Sequence, residues 1–234
     1  GHLDENEHFV EEYTQSIDYG IDFYAPQTVL APDGRRIMIG WMQNWDACGV
    51  REDDMKWFGQ TSCPREIQFV DGKLIQNPIR ELSNYHKNTV SYSEVLVSDC
   101  ISLEKVSGRM IDLEIEIKPE DEENCYDKFV IQFAKNENFH SDIVFYPKES
   151  VLEIDRSWSG IRRAVQHQKK CKVADNNGSI KLRVILDRYS VEVFVNDGEQ
   201  AMSMAVFTEQ EANQIRFSAD GKVKMNLTKS DLEF

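Results

Sequence analysis

Two aspartates flank a glycine in Asp18-Tyr19-Gly20-Ile21-Asp22, and aromatic residues gather after them: Phe23, Tyr24, Trp41, Trp45 and Trp57. Sugars stack the apolar faces of their rings on aromatic side chains while carboxylates and amides take the hydroxyls, so this combination suits a saccharide. Asp18 stands just before the Gly20 turn, where its carboxylate could accept from sugar hydroxyls; an aspartate there also serves the turn itself. Trp41 belongs to an alternating stretch and would equally fill a core. Arg65 and Glu66 read as an ion pair with a structural role, and Asp187, Arg188 and Glu192 as framework. Trp158, with polar neighbours on both sides, reads as a loop tryptophan packed against the first unit, with a glycan contact as the alternative. The five histidines form no HExxH or HxH pattern and the five cysteines no CxxC pair, so no metal site is expected.

These residues need elements to position them. Tyr24 sits in a strand from Phe23 to Leu30, followed by a Pro32-Asp33-Gly34 turn and a strand from Arg36 to Met42. A second hairpin runs from Arg65 to Val70, turns at Asp71-Gly72 and returns from Lys73 to Gln76. These read as consecutive antiparallel strands of a meander or propeller blade. Pro78 to Lys87 places Ile79, Leu82 and His86 near helical spacing behind a proline, which predicts a short connecting helix. Beyond it, ten short strand patterns follow with regular turn signals, as in a β-sandwich. The clearest hairpin pairs Ile180 to Asp187 with Ser190 to Val195, both alternating with a period of two. The reading is therefore all-β, with 1–77 as the end of one unit, 78–87 as a helical linker and 88–234 as a sandwich.

Composition narrows the function classes. A net charge of −14 would repel phosphate backbones and anionic lipid, so neither nucleic acid nor membrane is an expected partner. The nearest basic patch, Arg162-Arg163 with Lys169-Lys170, is short and reads as a solvated strand edge. No run approaches the ~18 apolar residues of a membrane-spanning helix. An odd number of scattered cysteines fits a reducing cytoplasm better than a disulfide framework.

The stretch Asp18-Tyr-Gly-Ile-Asp-Phe-Tyr-Ala-Pro-Gln-Thr28 resembles the D-Y-G-x-D-F-Y-A-P-Q-T segment of glycoside hydrolase family 32, the family of sucrose-6-phosphate hydrolases, invertases, inulinases and levanases. Further resemblances follow in the family's order: residues 34–45 around Gly40-Trp41-Met42-Gln43-Asn44-Trp45, then Pro64-Arg65-Glu66-Ile67, then residues 187–198 around Ser190-Val-Glu-Val-Phe-Val195. The resemblance implies an incomplete end of a five-bladed β-propeller followed by a C-terminal β-sandwich. It also implies a retaining β-fructofuranosidase acting on sucrose, sucrose 6-phosphate or fructans, with no cofactor. Asp18 would face the leaving-group side of the cleft, a ring from the Trp41 to Trp45 segment would line the sugar pocket, and Asp22, Phe23 and Tyr24 would support it. Asp18, Tyr24, Trp41 and Trp45 are thus the expected contacts to a fructose-containing saccharide.

The departures carry equal weight. Retaining glycosidases use two carboxyl groups about 5–5.5 Å apart. The family's W-M-N-D-P-N-G, R-D-P and E-C motifs, which supply the nucleophile, a transition-state-stabilising aspartate and the acid/base, do not occur here. No catalytic residue is therefore expected in this chain. A binding or structural module, or one half of a split enzyme, are the alternatives. Residues 1–77 without preceding blades would expose unpaired strands, so a partner supplying the rest of the propeller, or self-association, is expected.

Overall fold

The computed structural model describes residues 1–43, 59–121, 125–160 and 166–234; Trp45, Trp57, Arg162-Arg163 and Glu122-Glu123 lie outside them. The described elements are strands and three short 3₁₀ segments. A two-residue pairing of His2–Leu3 with Phe9–Val10 precedes the first sheet. That sheet joins Tyr24–Leu30, Arg36–Trp41, Arg65–Val70 and Lys73–Pro78 in sequence order, each antiparallel to the next. Its last turn places Asp71 at φ 49° and Gly72 at φ 77°, the paired left-handed conformation that matches the twist of a two-residue hairpin.

The connecting helix expected from 78 to 87 is a 3₁₀ segment, Arg80–Tyr85, with Leu82 as its buried anchor. His86 already begins a twelve-residue strand, His86–Val97. Two six-stranded sheets follow. In one, the order is Gln200–Ala205, Ser190–Val195, Ile180–Asp187, Ile111–Pro119, Val223–Leu232 and His86–Val97. In the other it is Gln168–Lys172, Val151–Asp155, Ser141–Tyr146, Lys128–Lys135, Gln214–Asp220 and Cys100–Ile101.

Alternation builds the core between these sheets. Ile111, Leu113, Ile115 and Ile117 point inward while Glu114, Glu116 and Lys118 face water, and Phe129, Ile131 and Phe133 answer from the opposite sheet. The ten expected sandwich strands are present. Two short edge strands, Cys100–Ile101 and Gln168–Lys172, are additional, and the second carries the Lys169-Lys170 pair along a solvated edge. Among the described residues no helix is long and apolar enough to cross a membrane.

Candidate functional site

The aromatic corner is made by a β-bulge. Tyr24 pairs with Trp41, but the next pair is Gln27 with Ile39, so one extra residue lies in the first strand. Ala25 absorbs it at φ 44°, a left-handed conformation costly for a residue with a Cβ and typical of places where a side chain is re-aimed. The result is a Tyr24 ring tilted 57° to Trp41 with centroids 6.3 Å apart. Tyr24 is 45% exposed and Trp41 half-buried, which leaves apolar ring surface facing outward. Glycines make room behind it. A Cβ at Gly40 would fall 2.3 Å from the Phe23 ring, and one at Gly59 2.5 Å from Trp41 Nε1. Trp45, the other expected ring, lies outside the described residues.

Asp18 lies against the edge of the sandwich. The segment from 18 to 22 lies along the outer edge of the Gln200–Ala205 strand. Tyr19 N–H donates to the Ala201 carbonyl, and Ile21 and Asp22 N–H donate to that of Ser203, at 2.8, 2.8 and 3.1 Å. Two edge N–H groups are met by side chains: Ser203 N–H donates to Asp18 Oδ1 at 3.0 Å, and Ala205 N–H to Asp22 Oδ2 at 2.7 Å. Asp18 also accepts from Gly20 N–H at 2.7 Å, Ser203 Oγ at 2.7 Å and Arg65 Nη1 at 3.0 Å. A carboxylate has about four lone-pair sites, and these four bonds fill them. Asp18 is therefore a buried joint between the two units. Gly20 is obligatory here, because a Cβ would sit 2.1 Å from the Ser203 backbone.

Arg65 forms the centre of this joint. It is fully buried, and each of its five N–H donors has a partner. Nε and Nη2 donate to Glu192 Oε2 at 3.0 and 2.7 Å, Nη1 to Asp18 and to Gln76 Oε1 at 3.1 Å, and Nη2 also to Ser203 Oγ at 2.5 Å. Burial alone would lower the Arg65 guanidinium, but Glu192 and Asp18 raise it, so it stays charged. The other Glu192 oxygen accepts from Cys63 N–H at 2.6 Å. Burial first, and then Glu192, pushes the Cys63 thiol well up, which keeps it protonated.

The expected Arg65–Glu66 ion pair is absent, because neighbouring residues on a strand point to opposite faces. Glu66 instead accepts from Arg35 Nη1 at 2.8 Å and from Arg80 Nη2 at 2.6 Å. Its hydrogen bonds with Arg80 lead the causes that lower it to about 2, against the opposing pull of desolvation.

A second buried arginine crosses the junction the other way. Arg156 of the sandwich pairs with Asp22 and lies 4.8 Å from the centroid of the Phe207 ring. Trp158, two residues on, is 58% exposed. The sequence reading missed Arg156, Ser203 and Gln60, whose side chain donates to the Tyr189 carbonyl at 2.9 Å. The alternation around Ser203 was the only available signal, since a polar residue stands there between the buried methionines 202 and 204.

Comparison with known proteins agrees with this architecture. The model described as "Glycosyl hydrolases family 32 C terminal" matches residues 80–232, and that described as "Glycosyl hydrolases family 32 N-terminal domain" matches residues 1–78. A sucrose-6-phosphate hydrolase of Staphylococcus xylosus is 33% identical over 219 residues, covering 93% of this chain and 43% of the relative. A probable sucrose-6-phosphate hydrolase of Psychromonas ingrahamii is 31% identical over 210 residues, covering 90% of this chain and 36% of the relative. The solved sucrose-6-phosphate hydrolase of Lactobacillus gasseri superposes with a TM-score of 0.78 at 24% identity, over 93% of this chain and 42% of that one. The chain thus spans well under half the length of these relatives. The four-stranded sheet is the incomplete end of a five-bladed propeller, and the two larger sheets are the β-sandwich that follows it.

Proposed function

This chain belongs to glycosyl hydrolase family 32, and we propose that it supplies the closing part of the propeller and the β-sandwich of a retaining β-fructofuranosidase acting on sucrose, sucrose 6-phosphate or a fructan. The supporting observation is the ordered match of both family models along one chain, with relatives named as sucrose-6-phosphate hydrolases. In such an enzyme an aspartate attacks the anomeric carbon of fructose and forms a fructosyl-enzyme. A glutamate protonates the leaving oxygen and then activates water. This chain is assigned neither role. The carboxylates at its junction, Asp18, Asp22 and Glu192, are committed to Arg65 and Arg156. Its contribution is a wall of the sugar pocket, in which Tyr24 and Trp41 offer ring surface to a fructose-containing saccharide; Trp45 is a candidate for the same wall. The preceding propeller strands are the partner that completes the cleft, and the reducing cytoplasm is its compartment, in keeping with four free cysteines among the described residues.

Fructose release tests this reading. Assayed with sucrose and sucrose 6-phosphate, the 234-residue chain alone should release none above the uncatalysed rate. The native gene product, recovered with antiserum against this chain, should be about twice as long, beyond the usual single-domain range, and should release fructose with retention. Hydrolysis by this chain alone that disappears on mutating one of its own carboxylates would overturn the assignment. So would a native product that neither binds nor cleaves any fructoside.

A further inference from the structure

We propose that the β-sandwich positions the Tyr24–Trp41 corner, with Glu192 and Arg65 as the positioning residues and the Phe23 ring as the part that transmits their placement. This rests on the reading of that corner as sugar-facing, but the mechanical coupling it describes stands on separate contacts.

Glu192 lies in the Ser190–Val195 strand of the sandwich and is buried. Its two oxygens hold Arg65 through Nε and Nη2 and hold the Cys63 N–H, so one sandwich carboxylate fixes both the start of a blade strand and the residue two before it. With all five donors engaged, the Arg65 guanidinium cannot turn about its own axis without breaking bonds on both sides of the junction. It is a fixed plate. The Phe23 ring centroid lies 4.6 Å from its central carbon and that of Phe194, a sandwich residue, 5.2 Å.

The Phe23 ring packs so closely against Gly40 that a Cβ there would meet it at 2.3 Å. Gly40 is in turn fixed by Ser62, which receives the Gly40 N–H on Oγ at 3.0 Å and donates its own N–H to the Gly40 carbonyl at 2.9 Å. Ser62 adjoins Cys63. The backbone beneath Trp41 is therefore held from two directions, and both lead to Glu192. Phe23 is also the residue before Tyr24 and follows Asp22, itself tied to the sandwich edge by Ala205 N–H at 2.7 Å. Both members of the aromatic pair thus take their backbone position from the sandwich, and the strained Ala25 bulge is held in place by neighbours anchored there.

Such coupling is read without any sugar. In ¹⁵N-labelled chain, the indole N–H signal of Trp41 is assigned by its loss in Trp41→Phe. Glu192→Gln keeps the size of the side chain but turns a donor toward Arg65, and it should shift or broaden the Trp41 signal while leaving that of Trp158 in place. Phe23→Leu removes the transmitting ring without touching the ion pairs, and should move the same signal. Val193→Ala, in the core on the same strand, loosens packing without altering the Glu192 bonds and should leave Trp41 unmoved. If Glu192→Gln does not fold, Phe23→Leu decides. A Trp41 signal unchanged in Phe23→Leu, or one that moves equally in Val193→Ala, would overturn the proposal. Sugar titration of the unmodified chain is separate, so a corner that binds no fructoside but still responds to Phe23→Leu would sink the sugar reading and leave the coupling intact.

Discussion

The sandwich and the propeller end treat their sheet edges in opposite ways. Each of the four sandwich edges is protected. The Gln200–Ala205 edge is covered by residues 18–22, and the Gln168–Lys172 edge carries three lysines. The Cys100–Ile101 edge is only two residues long, and the His86–Val97 edge is broken by two register shifts against its neighbour. In the four-stranded sheet, the Lys73–Pro78 edge is met by Gln15, which exchanges hydrogen bonds with the Leu74 N–H and carbonyl at 3.1 and 3.3 Å. The Tyr24–Leu30 edge has no strand beyond it among the described residues, and Val29 there is 63% exposed. An apolar strand edge left uncovered in this way is a template for pairing with a further strand.

The sharpest way to break this contrast is at the joint that holds the two regions together. Arg65→Ala would leave Glu192 and Asp18 buried without their cation, the situation in which loss of one partner typically costs about 3–5 kcal/mol. Unfolding in urea should show that loss as a lower midpoint with the slope retained. It should also show both regions melting together in the unmodified chain, as a junction made of buried charges requires. If Arg65→Ala changes stability by less than about 1 kcal/mol, the joint is a contact between independent units and Arg65 is not its centre.

Sequence reading reached the fold more readily than the joint, and the reason is physical. The Ile180–Asp187 and Ser190–Val195 hairpin is legible because every second residue is apolar and the sandwich buries that face. Gln168–Lys172 is not, because Cys171 is its only apolar residue and the strand is held by its backbone pairing with Val151–Asp155. Asp18 shows a different obstacle. A carboxylate before a glycine looks the same whether it meets a sugar hydroxyl or a protein N–H, and its partner Ser203 lies 185 residues away. Arg65 and Glu66 were misread because adjacency in sequence suggests pairing, whereas a strand sends the two side chains to opposite faces. The aromatic corner was legible in its residue types, but of the bulge at Ala25 that turns Tyr24 toward Trp41 the sequence carries only Pro26, which suits an edge strand as well as a bulge.

Acid gives a smaller effect, read here at Glu66 on the propeller side. Glu66 is held at about 2, below the ordinary carboxylate range, first by its hydrogen bonds with Arg80. A carboxylate with a lowered folded-state pKa contributes its full stability above its unfolded value near 4.3, and that contribution disappears as the pH falls through about 2. Because Arg80 is 66% exposed, solvent screening holds the effect to about 1 kcal/mol or less. Stability measured from pH 5 to pH 2 should fall less steeply in Glu66→Gln than in the unmodified chain. Equal slopes would mean that Glu66 does not titrate in this window.

The smallest change in stability tests the exposed apolar surface of the four-stranded sheet. Phe69 is 79% exposed in the strand Arg65–Val70, on the sheet that also carries Val29 and Leu30. Phe69→Lys removes little buried area, so the chain should keep its stability within about 0.5 kcal/mol. Its association should change far more. Apolar edges and faces left uncovered drive pairing between copies, whereas a lysine beside them suppresses it. Sedimentation at increasing concentration should therefore show the unmodified chain self-associating and Phe69→Lys moving toward monomer. Trp158→Lys, at a 58% exposed aromatic on the finished sandwich, should leave the association unchanged. If both substitutions act alike, exposed aromatic area alone drives association; if only Phe69→Lys acts, the propeller end is the face awaiting a partner.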